Sequence, residues 1–550
     1  MVNGPELQAW QLRCIEEVLA LPGAKLSLVI VNGARPDVAS LKDKLSRVPP
    51  RHALFALMCR LFVNPPAARR TVWRDRLPET AELVCTPLRK GKFSEYLAEP
   101  DLTAIRAHDL DFVLRFGFGI IRGEVLRVPR YGVWSFHHDD ERKYRGMPAA
   151  FWPIWHDDPT SGMILQRLTD RLDGGVILRR ATLRTRSGSL QDNLDQVLRA
   201  GTHFPAQVCR DIVNGHAAYL HAEPTTSAAP IVHRPTNAQI LVFLAKLARN
   251  RWRSVVRALF RFEEWNIGLI DAPVETLIEG VKPAIRWLQR PQPFGYAADP
   301  FLLRDGRGGE LRVLYEDFDY RSWKGDISAI GIDGRAGPPV PQSMLSAAGH
   351  RSYPYVFRHN GRLYCVPESA DAGEIALYRV DTDRLTRIAT LVPDVAALDA
   401  TVVRHDGRWW LFHTDREAGS CERLYIRFAD ALEGPWLPHA QNPVKVDIRS
   451  ARPGGTPFLR DGHLYRPAQD CAETYGGRVR LHRIDVLSPT EFSEEEVAVV
   501  APDPDGPYPD GLHTVSGDGG FTVVDGKREG FIWRAFVGAT RRRMAALAAR

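Results

Sequence analysis

The apolar positions of this chain repeat with two different periods, one in each half. Between residue 26 and about residue 215, strand-like apolar runs such as Leu26–Val31 and Asp111–Phe116 alternate with helical patterns such as Leu190–Leu198. Buried strands that alternate with helices are typical of an α/β domain with a largely parallel sheet. We therefore predict an α/β, Rossmann-like domain over residues 1–215.

From about residue 291 the period changes to two, as in half-buried strands. Most of these strands end at a dipeptide in which Gly supplies the positive φ of a hairpin turn. The dipeptides are Asp305-Gly306, Asn360-Gly361, Asp406-Gly407, Asp461-Gly462 and Asp525-Gly526. This repetition at a spacing of roughly 50 residues predicts an all-β, five-bladed propeller over residues 291–535, with a β-sandwich as the alternative. Residues 536–550 are predicted to be a basic C-terminal tail.

Residues 216–290 are predicted to connect the two domains. Pro224–Pro235 is a loop rich in Pro, Thr, Ser and Ala, and Gln239–Phe262 repeats apolar residues at helical spacing among basic side chains. A basic amphipathic helix can lie on an anionic membrane face. A linker helix packed between domains shows the same pattern, and we favour that interpretation.

Length, charge and cysteine usage limit the function classes. A chain of 550 residues predicts two to four domains, and its net charge of +7 suits phosphate-bearing substrates or an anionic surface but is too small to indicate nucleic acid. The seven cysteines are dispersed without a CxxC pair, so we expect a reduced compartment and no metal. No signal peptide or bilayer-spanning run is evident, so we expect the cytoplasm. No glycine-rich dinucleotide fingerprint follows Leu26–Val31, which argues against a nicotinamide enzyme.

The segment richest in chemistry is Val128–Gly146, which reads VPRYGVWSFHHDDERKYRG. Leu168–Leu178, LTDRLDGGVIL, follows later in the chain. Together they resemble the folate-dependent formyltransferases, such as glycinamide ribonucleotide transformylase, methionyl-tRNA formyltransferase and the sugar N-formyltransferases. That family has a strand ending in Asn-x-His, a run closing in Lys-Tyr-Arg-Gly, and a later Leu-Asp-x-Gly. The resemblance covers roughly residues 25–215, and the spacing from His137 to Gly146 matches without a gap.

The resemblance implies which residues act. In this family an amine attacks the formyl carbon of 10-formyltetrahydrofolate. By resemblance, His137 stabilises the oxyanion and assists proton transfer, while Asp173 orients the His. Gly174 would allow close backbone approach beside the Asp. The segment that matches the backbone around the pterin ring is Gly117, Phe118, Gly119, Ile120 and Ile121.

One position departs from the family, because Ser135 stands where the family has Asn. Asn presents an amide donor to the oxyanion, and Ser presents a shorter hydroxyl donor. Outright loss of one oxyanion donor costs about 10²–10³ in rate. The adjacent His138 and Asp139 are polar and could substitute. The departure leaves three alternatives, which are slower chemistry, a different substrate, or a domain that only binds.

The second half resembles the N-terminal domain of plant glucosamine inositolphosphorylceramide transferases, itself similar to five-bladed arabinanase-like glycoside hydrolases. The segments that carry the resemblance include Tyr296–Phe301, Ser352–Phe357, Val366–Ser369, Tyr465–Asp470 and Gly511–Thr514. By resemblance, Asp299 lies at the general-base position of the first blade and Asp399 at the position of the pKa-tuning acid in the third. Plain capping of a strand start is the alternative for both. His513 matches a His at the axis of those hydrolases.

The proton donor of those hydrolases has no counterpart here. Arg452 lies in the strand where the fourth-blade Glu is expected, and a guanidinium cannot donate a proton at neutral pH. Glu368 or Asp470 could serve instead. We therefore expect a carbohydrate-binding or unconventional active surface at the axis.

Two hypotheses of different classes follow. In the first, a cytoplasmic enzyme, peripheral at the inner membrane face if residues 239–262 touch lipid, transfers a formyl group from 10-formyltetrahydrofolate to an amino sugar. The acceptor is nucleotide- or lipid-linked and belongs to surface-glycan synthesis, and the propeller binds the glycan. The second is a glycan-binding or glycoside-processing propeller with a degenerate formyltransferase-like domain. Methionyl-tRNA formylation is a weaker third, because a propeller replaces the C-terminal barrel usual in that enzyme. The sequence predicts no oligomeric state.

Overall fold

The computed structural model describes residues 1–34, 49–91, 94–171, 174–280, 283–289, 294–304, 310–332 and 341–548. The chain divides into two compact units, unit one (Met1–Trp252) and unit two (Arg253–Arg550). The division falls within residues 216–290, the predicted connector.

Unit one has short strands. They are β1 (Glu6–Gln8), β2 (Leu28–Asn32), β3 (Arg70–Val72), β4 (Ala81–Cys85), β5 (Leu88–Lys90), β6 (Ser94–Tyr96), β7 (Val113–Arg115), β8 (Ile120–Ile121), β9 (Val133–His137), β10 (Arg145–Gly146), β11 (Thr160–Arg167), β12 (Val176–Arg184) and β13 (Ile231–Val232). Neighbouring strands of the sheet that carries β9 follow the order β12-β11-β9-β7. The predicted strands Leu26–Val31 and Asp111–Phe116 correspond to β2 and β7.

The sheet around β9 is mixed, so the prediction of a largely parallel sheet is wrong for this part. β7 pairs with β9 in parallel, as β2 does with β4 and β6 with β8. The pairs β9/β11 and β11/β12 are antiparallel. The segment between β11 and β12, residues 168–175, is too short for the crossover that parallel neighbours need.

The helices of unit one cover its sheets. They are α1 (Ala9–Leu19), α2 (Ala53–Phe62), α3 (Glu99–Arg106), α4 (Phe151–Trp155), α5 (Leu190–Ala200), α6 (Phe204–Asn214) and α7 (Asn237–Phe260). The predicted helix Leu190–Leu198 is α5, which begins after Ser189 because the Ser hydroxyl accepts a hydrogen bond from the Asp192 amide. The first half of α7 packs on this unit, where Phe243 stacks on Phe151 with ring centroids 4.2 Å apart.

Unit two consists mainly of four-stranded sheets. Its strands are β14 (Phe262–Ile270), β15 (Arg286–Trp287), β16 (Gly295–Arg304), β17 (Leu311–Asp319), β18 (Lys324–Gly331), β19 (Gln342–Leu345), β20 (Ser352–His359), β21 (Arg362–Glu368), β22 (Ile375–Val380), β23 (Leu385–Val392), β24 (Ala397–His405), β25 (Arg408–Asp415), β26 (Arg423–Ala429), β27 (Leu437–Pro438), β28 (Lys445–Asp447), β29 (Phe458–Arg460), β30 (His463–Asp470), β31 (Arg478–Leu487), β32 (Phe492–Val500), β33 (Val515–Asp518) and β34 (Phe521–Gly530). Its helices are α8 (Arg416–Gly419) and α9 (Trp533–Ala548).

Within the described residues, five sheets follow one another along the chain. They have the orders β16-β17-β18-β19, β20-β21-β22-β23, β24-β25-β26-β28, β29-β30-β31-β32 and β15-β14-β34-β33. Apolar clusters link each sheet to the next, and one that contains Ile267, Leu302 and Val523 links the last sheet to the first. Antiparallel sheets packed face to face around a centre form an all-β propeller.

The innermost strands of the first three sheets share a local irregularity. Asp299, Tyr353 and Asp399 have φ angles of 51°, 43° and 52°, and each lies where the pairing register shifts. A positive φ is uncommon for residues other than Gly, and a bulge of this kind redirects a side chain. The repeated backbone conformation therefore puts one polar side chain from each strand at the centre of the unit.

The predicted turns at Asn360-Gly361, Asp406-Gly407 and Asp461-Gly462 are confirmed, because both residues of each have positive φ. Asp305-Gly306 lies outside the described residues. The prediction at Asp525-Gly526 is wrong, since both residues lie inside β34. The Asp525 carboxylate is buried and accepts hydrogen bonds from the amides of His513 and Thr514. This Asp-Gly pair therefore lies in the buried interior and does not form a turn.

Two predicted boundaries shift. β14 pairs along its whole length with β34, so the propeller sheets take in residues 262–270, which the sequence placed in the connector. The predicted basic tail, 536–550, overlaps helix α9, whose Ala535 and Ala539 are buried. Among the described helices, none is both long enough and apolar enough to cross a bilayer.

Candidate active site

Ser135 and His137 lie on the same side of β9, because side chains alternate along a strand. In the sheet, Ser135 lies opposite Arg115 of β7 on one side of β9 and opposite Gln166 of β11 on the other. His137 lies opposite Ile164 of β11. The parallel partner β7 ends at Arg115, so the carboxyl ends of β7 and β9 meet at one edge. Polar residues of three strands thus converge there.

Arg115 covers Ser135. The guanidinium donates from Nε and Nη2 to the Ser135 hydroxyl at 3.2 and 3.0 Å, and from Nη1 to the carbonyl of Gly119 at 2.6 Å. The Ser135 side chain is buried, and burial lowers the pKa of Arg115 while the Glu95 carboxylate opposes that shift. A longer Asn at 135 would compete for this space. The residue exchange therefore comes with a cationic donor at the place where the resemblance implies an amide.

A cavity of about 110 Å³ opens beside this pair. His137 contributes to its wall, and so do Ile120, Ile121 and Gly174, which the resemblance assigned to the cofactor. The remaining lining residues are Arg115, Arg122, Phe136, Gln166, Leu168, Thr169, Asp170, Arg171 and Gly175. Its walls are about half polar and carry more positive than negative groups.

His137 is held by the later part of its own motif. Its Nε2 lies 3.1 Å from the carbonyl oxygen of Tyr144. A carbonyl can only accept, so Nε2 carries the hydrogen in the neutral ring and Nδ1 is left as an acceptor. The predicted substitutes do not line the cavity. His138 packs on Trp10 with its pKa lowered to about 3, chiefly by burial, and Asp139 is buried with its pKa raised by burial.

Most amides of the loop Gly117–Ile121 already have protein partners. The Gly117 amide donates to the carbonyl of Met1, that of Phe118 to Asn3 Oδ1, and that of Gly119 to the Glu95 carboxylate at 2.6 Å. Ile120 and Ile121 form β8 and reach the cavity. The loop thus contributes apolar wall at 120 and 121.

Asp173 lies outside the described residues. The Gly pair that follows it does line the cavity. At Gly175 a Cβ would lie 2.5 Å from Gln166 Oε1 and 2.7 Å from the Arg167 carbonyl, so no larger residue fits there. The packing of residues 166 and 167 thus requires glycine at 175, and the role that the resemblance implies for Gly174 stays a prediction.

A second polar cluster lies at the centre of unit two, and its strongest contact joins Asp399 to Arg452. Arg452 donates from Nε and Nη2 to the two carboxylate oxygens at 2.6 and 3.0 Å, and Gln469 Nε2 donates to Asp399 Oδ2. A two-pronged contact of this kind is among the stronger charge-assisted hydrogen bonds. Arg452 therefore neutralises Asp399 and cannot replace a proton donor.

Glu368 and Glu316 extend this cluster. Burial, then the charge of Asp399, raises the pKa of Glu368 to about 8, although Arg452 lies 3.6 Å away. Burial also raises the pKa of Glu316, with Asp299 and Glu368 adding to it, and His350 lies 3.6 Å from its carboxylate. Glu368 is consequently mostly neutral at pH 7, which gives this cluster a carboxylic acid that can donate a proton.

Asp299 belongs to a chain of polar residues with His513 and Asp525. His513 Nε2 lies 3.3 Å from Asp299 and its Nδ1 lies 2.6 Å from Asp525. Burial lowers the pKa of His513, but the two carboxylates outweigh it and raise the pKa. Burial raises the pKa of Asp299 to about 6, while His513 opposes the shift. Thr514 and the Tyr353 amide also donate to Asp299, so this residue has more partners than a strand-start cap needs.

The same three side chains place their ligand atoms within 4.8 Å of one another, a spacing that a metal ion could use. A metal requires neutral imidazole, because the proton and the ion compete for the same nitrogen. The two carboxylates favour the protonated ring of His513. The imidazolium then supplies the positive charge that a metal ion would otherwise bring to them. The prediction that no metal binds stays a prediction.

Asp470 does not join the acids at the centre. Its carboxylate accepts from Arg480 Nε and Nη2 at 2.9 and 2.6 Å and from the Ala472 amide. The neighbouring residue on β30, Gln469, points the other way and reaches Asp399. Because side chains alternate along a strand, Gln469 and not Asp470 reaches the centre. The ion pair with Arg480 excludes Asp470 as a proton donor.

Comparison with known proteins gives two separate likenesses, one for each part of the chain. Residues 284–506 match the family described as glucosamine inositolphosphorylceramide transferase 1, N-terminal. The protein of that name from Arabidopsis thaliana is 37% identical over 212 residues, which are 37% of this chain and 28% of the plant protein. The predicted resemblance is confirmed. The chain thus spans little more than a quarter of the plant relatives it matches.

The N-terminal part is similar to methionyl-tRNA formyltransferases. That of Phenylobacterium zucineum is 30% identical over 143 residues, which are 26% of this chain and 46% of the relative. Among solved structures, an exo-β-1,3-galactanase from Clostridium thermocellum has a TM-score of 0.32 and 12% identity, and covers 41% of this chain and 58% of that chain. The chain is therefore related to formyltransferases in one part and to the N-terminal domain of glucosamine inositolphosphorylceramide transferase in the other.

Sequence reasoning missed three residues of these clusters. Arg115 ends β7, and a charge that follows Phe112, Val113 and Leu114 just before the loop Gly117–Ile121 was a usable signal. Asp525 was assigned to a turn on its Asp-Gly pair. Gln469 gave no signal, because only the direction of β30 distinguishes it from Asp470.

Proposed function

We propose that unit one transfers a formyl group from 10-formyltetrahydrofolate to the amine of an amino sugar in surface-glycan synthesis. The observation that carries the proposal is the convergence of His137 and Arg115 on one cavity at the end of β9. A proton acceptor and a fixed cationic donor at one place suit an acyl transfer, in which an amine loses a proton while an oxygen gains negative charge.

The cavity fits a polar, partly apolar cosubstrate. Arg122 Nε is buried without a hydrogen-bond partner among the described residues, and an unpaired buried N–H is costly unless a ligand or water satisfies it. Ile120, Ile121 and Gly174 would hold the ring system, with Arg122 toward a polar edge. When bound, formyltetrahydrofolate supplies the activated formyl group.

His137 and Arg115 then have separate roles. His137 Nδ1 accepts the proton that the attacking amine loses, because Nε2 is held by the Tyr144 carbonyl. The remaining N–H groups of Arg115 stabilise the negative oxygen, and Ser135 together with the Gly119 carbonyl holds the guanidinium in place. Since a cation stabilises an anion more strongly than a neutral amide does, the exchange of Asn for Ser need not abolish activity.

The test is formyl transfer itself. Purified full-length chain, 10-formyltetrahydrofolate and a panel of nucleotide-linked and lipid-linked amino sugars are incubated, and N-formyl product is measured by mass spectrometry. We expect product with at least one amino sugar, loss of product in His137→Ala, and no change in His221→Ala, a control at an exposed His of the same unit. Product with methionyl-tRNA alone, or with no acceptor, would contradict the sugar assignment.

For unit two we propose a five-bladed propeller whose central cluster binds the glycan part of the acceptor. The support is the set of buried, polar residues that the inner strands direct to one place. On a glycan array, Asp299→Ala and Asp399→Ala should weaken binding. Unchanged binding in both would locate the glycan elsewhere.

Glycoside processing is the second candidate, favoured by the neutral Glu368 beside the more acidic Asp299. Two carboxyl groups with pKa values pushed apart can act as proton donor and base. Hydrolysis of aryl glycosides that Glu368→Gln abolishes would support it, and absence of hydrolysis would exclude it. In either case the cytoplasmic location stays a proposal.

A further inference from the structure

Four aromatic rings form a contiguous patch on unit two, which we call the aromatic patch. It consists of Phe260 at the end of α7, Phe531 and Trp533 at the start of α9, and Phe536. Phe536 lies between the others, with ring centroids 5.9 Å from Phe260, 5.6 Å from Phe531 and 5.8 Å from Trp533. Arg543 also donates to the Ala258 carbonyl at 2.8 Å, so α9 contacts the last turns of α7.

The patch is exposed to solvent. Trp533 is 63% exposed, Phe531 56% and Phe260 44%. Single exposed apolar residues are ordinary, but adjacent exposed aromatic rings mark a surface that contacts something apolar. Ala535 and Ala539 are buried in the packing of α9, and Phe536 is partly buried against the same cluster, so Phe531 and Trp533 are the rings that this packing leaves exposed.

Helix α7 carries an exposed apolar stripe of its own. Leu241, Leu244, Trp252 and Val255 are 61%, 41%, 67% and 56% exposed, and their spacing keeps them on one side of a helix. The buried side of α7 is supplied by Ile240 and Phe243. One apolar side of α7 is thus buried and another is exposed.

The segments that carry these apolar residues have charges of one sign, although Arg257 pairs with Glu529 and Arg249 with Asp157 from other segments. Residues 237–261 and 531–550 contain no Asp or Glu. The exposed basic residues there are Arg249, Arg251, Arg253, Arg257, Arg261, Arg534, Arg541, Arg542 and Arg543. This concentration contrasts with a net charge of only +7 for the whole chain.

We propose that the aromatic patch and the arginines around it on unit two dock this protein on an anionic lipid bilayer. Trp and Phe suit the boundary between headgroups and acyl chains, and each Arg near the surface is attracted by anionic lipid. A second copy of the chain is disfavoured, because a symmetric contact would bring one arginine cluster against another. Docking of this kind brings the protein to a surface on which lipid-linked acceptors lie.

Sedimentation with vesicles tests the docking. Full-length protein is spun with vesicles of phosphatidylcholine alone and with vesicles that contain about 30% phosphatidylglycerol, at about 0.1 M and about 0.5 M salt. We expect binding to the anionic vesicles only, and release at the higher salt. Two double variants are compared with wild type. Trp533→Ser with Phe531→Ser removes two exposed rings of the aromatic patch, and Arg541→Glu with Arg542→Glu reverses two of the positive charges.

Matched control variants distinguish docking through the aromatic patch from a general effect of net charge or of exposed apolar surface. Leu459→Ser removes an apolar side chain that is 59% exposed on β29, and Arg362→Glu with Arg384→Glu makes the same charge change at exposed positions of another sheet. We expect the Arg541/Arg542 pair to weaken binding by about 30-fold or more, while the controls stay within about threefold of wild type.

Two results would overturn the proposal. One is wild-type protein that stays in the supernatant with anionic vesicles, or aromatic and arginine variants that bind as well as wild type. The other is light scattering that shows a wild-type dimer, converted to monomer by Trp533→Ser with Phe531→Ser, without vesicle binding. That outcome would assign the patch to contact between copies of the chain.

Discussion

Glu368 lies buried in unit two with a pKa of about 8, and replacing it with Gln removes one titrating group while keeping the shape of the side chain. The ordinary pKa of this carboxyl group is 4.5, and burial is the largest cause of the shift, followed by Asp399. The Gln amide can still donate to Asp399, as the protonated carboxyl group does. The substitution therefore removes the titration of Glu368 while keeping its hydrogen bond to Asp399.

The direction of the effect follows from linkage between proton binding and folding. Because the pKa of Glu368 is raised in the folded protein, its contribution to stability is fully present below pH 4.5, falls as the pH rises, and is lost above about pH 8. The slope within that window is about 1.4 kcal/mol per pH unit. Glu368→Gln has no such slope, so its stability relative to wild type should rise by roughly 4 kcal/mol between about pH 5 and about pH 8.

Calorimetric unfolding of both proteins at several pH values measures this difference. Glu417→Gln, at an exposed position on α8, is the control and should follow the wild-type profile. Parallel profiles for wild type and Glu368→Gln would show that Glu368 is ionised in the folded protein at neutral pH. That result would refute the burial argument and remove the proton donor on which glycoside processing depends.

Three further substitutions test other contacts. Arg452→Met leaves the buried Asp399 carboxylate without its cation and should lower the free energy of unfolding by about 3–5 kcal/mol at pH 7 in urea titrations, and a loss below about 1 kcal/mol would contradict the ion pair. Arg115→Ala should lower the rate of formyl transfer by about 10²–10³ while Arg13→Ala, at an exposed arginine on α1 of unit one, leaves it unchanged. For Glu494, burial raises the pKa, but Arg466 and a neighbouring Lys outweigh it and hold the pKa well below its ordinary range. Its contribution is present above about pH 4.5 and lost as the pH falls, so Glu494→Gln should flatten the acid side of the stability profile, and an unchanged acid side would refute the pairing.

The sequence predicted the two kinds of domain because both have strong periodic patterns. Alternating strands and helices mark unit one, and hairpin turns at regular spacing mark unit two. Each failure has a specific structural cause. The antiparallel return of β12 depends on a short connection, and β14 pairs with β34 across more than 250 residues, which no local pattern reveals.

The site was predicted where a motif fixes both residue type and strand position. His137 follows an apolar strand inside a gapless motif, and the structure places it on the cavity. Arg115, by contrast, depends on the pairing of β7 with β9, which sets Arg115 directly beside Ser135. At the centre of unit two, residue type identified the acids, but direction along β30 separates Gln469 from Asp470 and requires the fold.

Calorimetric titration with 10-formyltetrahydrofolate tests the central claim most directly, with its stable 5-formyl isomer as a second ligand. We predict saturable binding to the wild-type chain, weaker binding to Arg122→Ala because the buried Nε is lost, and unchanged binding to Asp299→Asn in unit two. Absence of binding for both ligands, in a wild-type chain shown by calorimetry to be folded, would contradict the claim that unit one is a working formyltransferase.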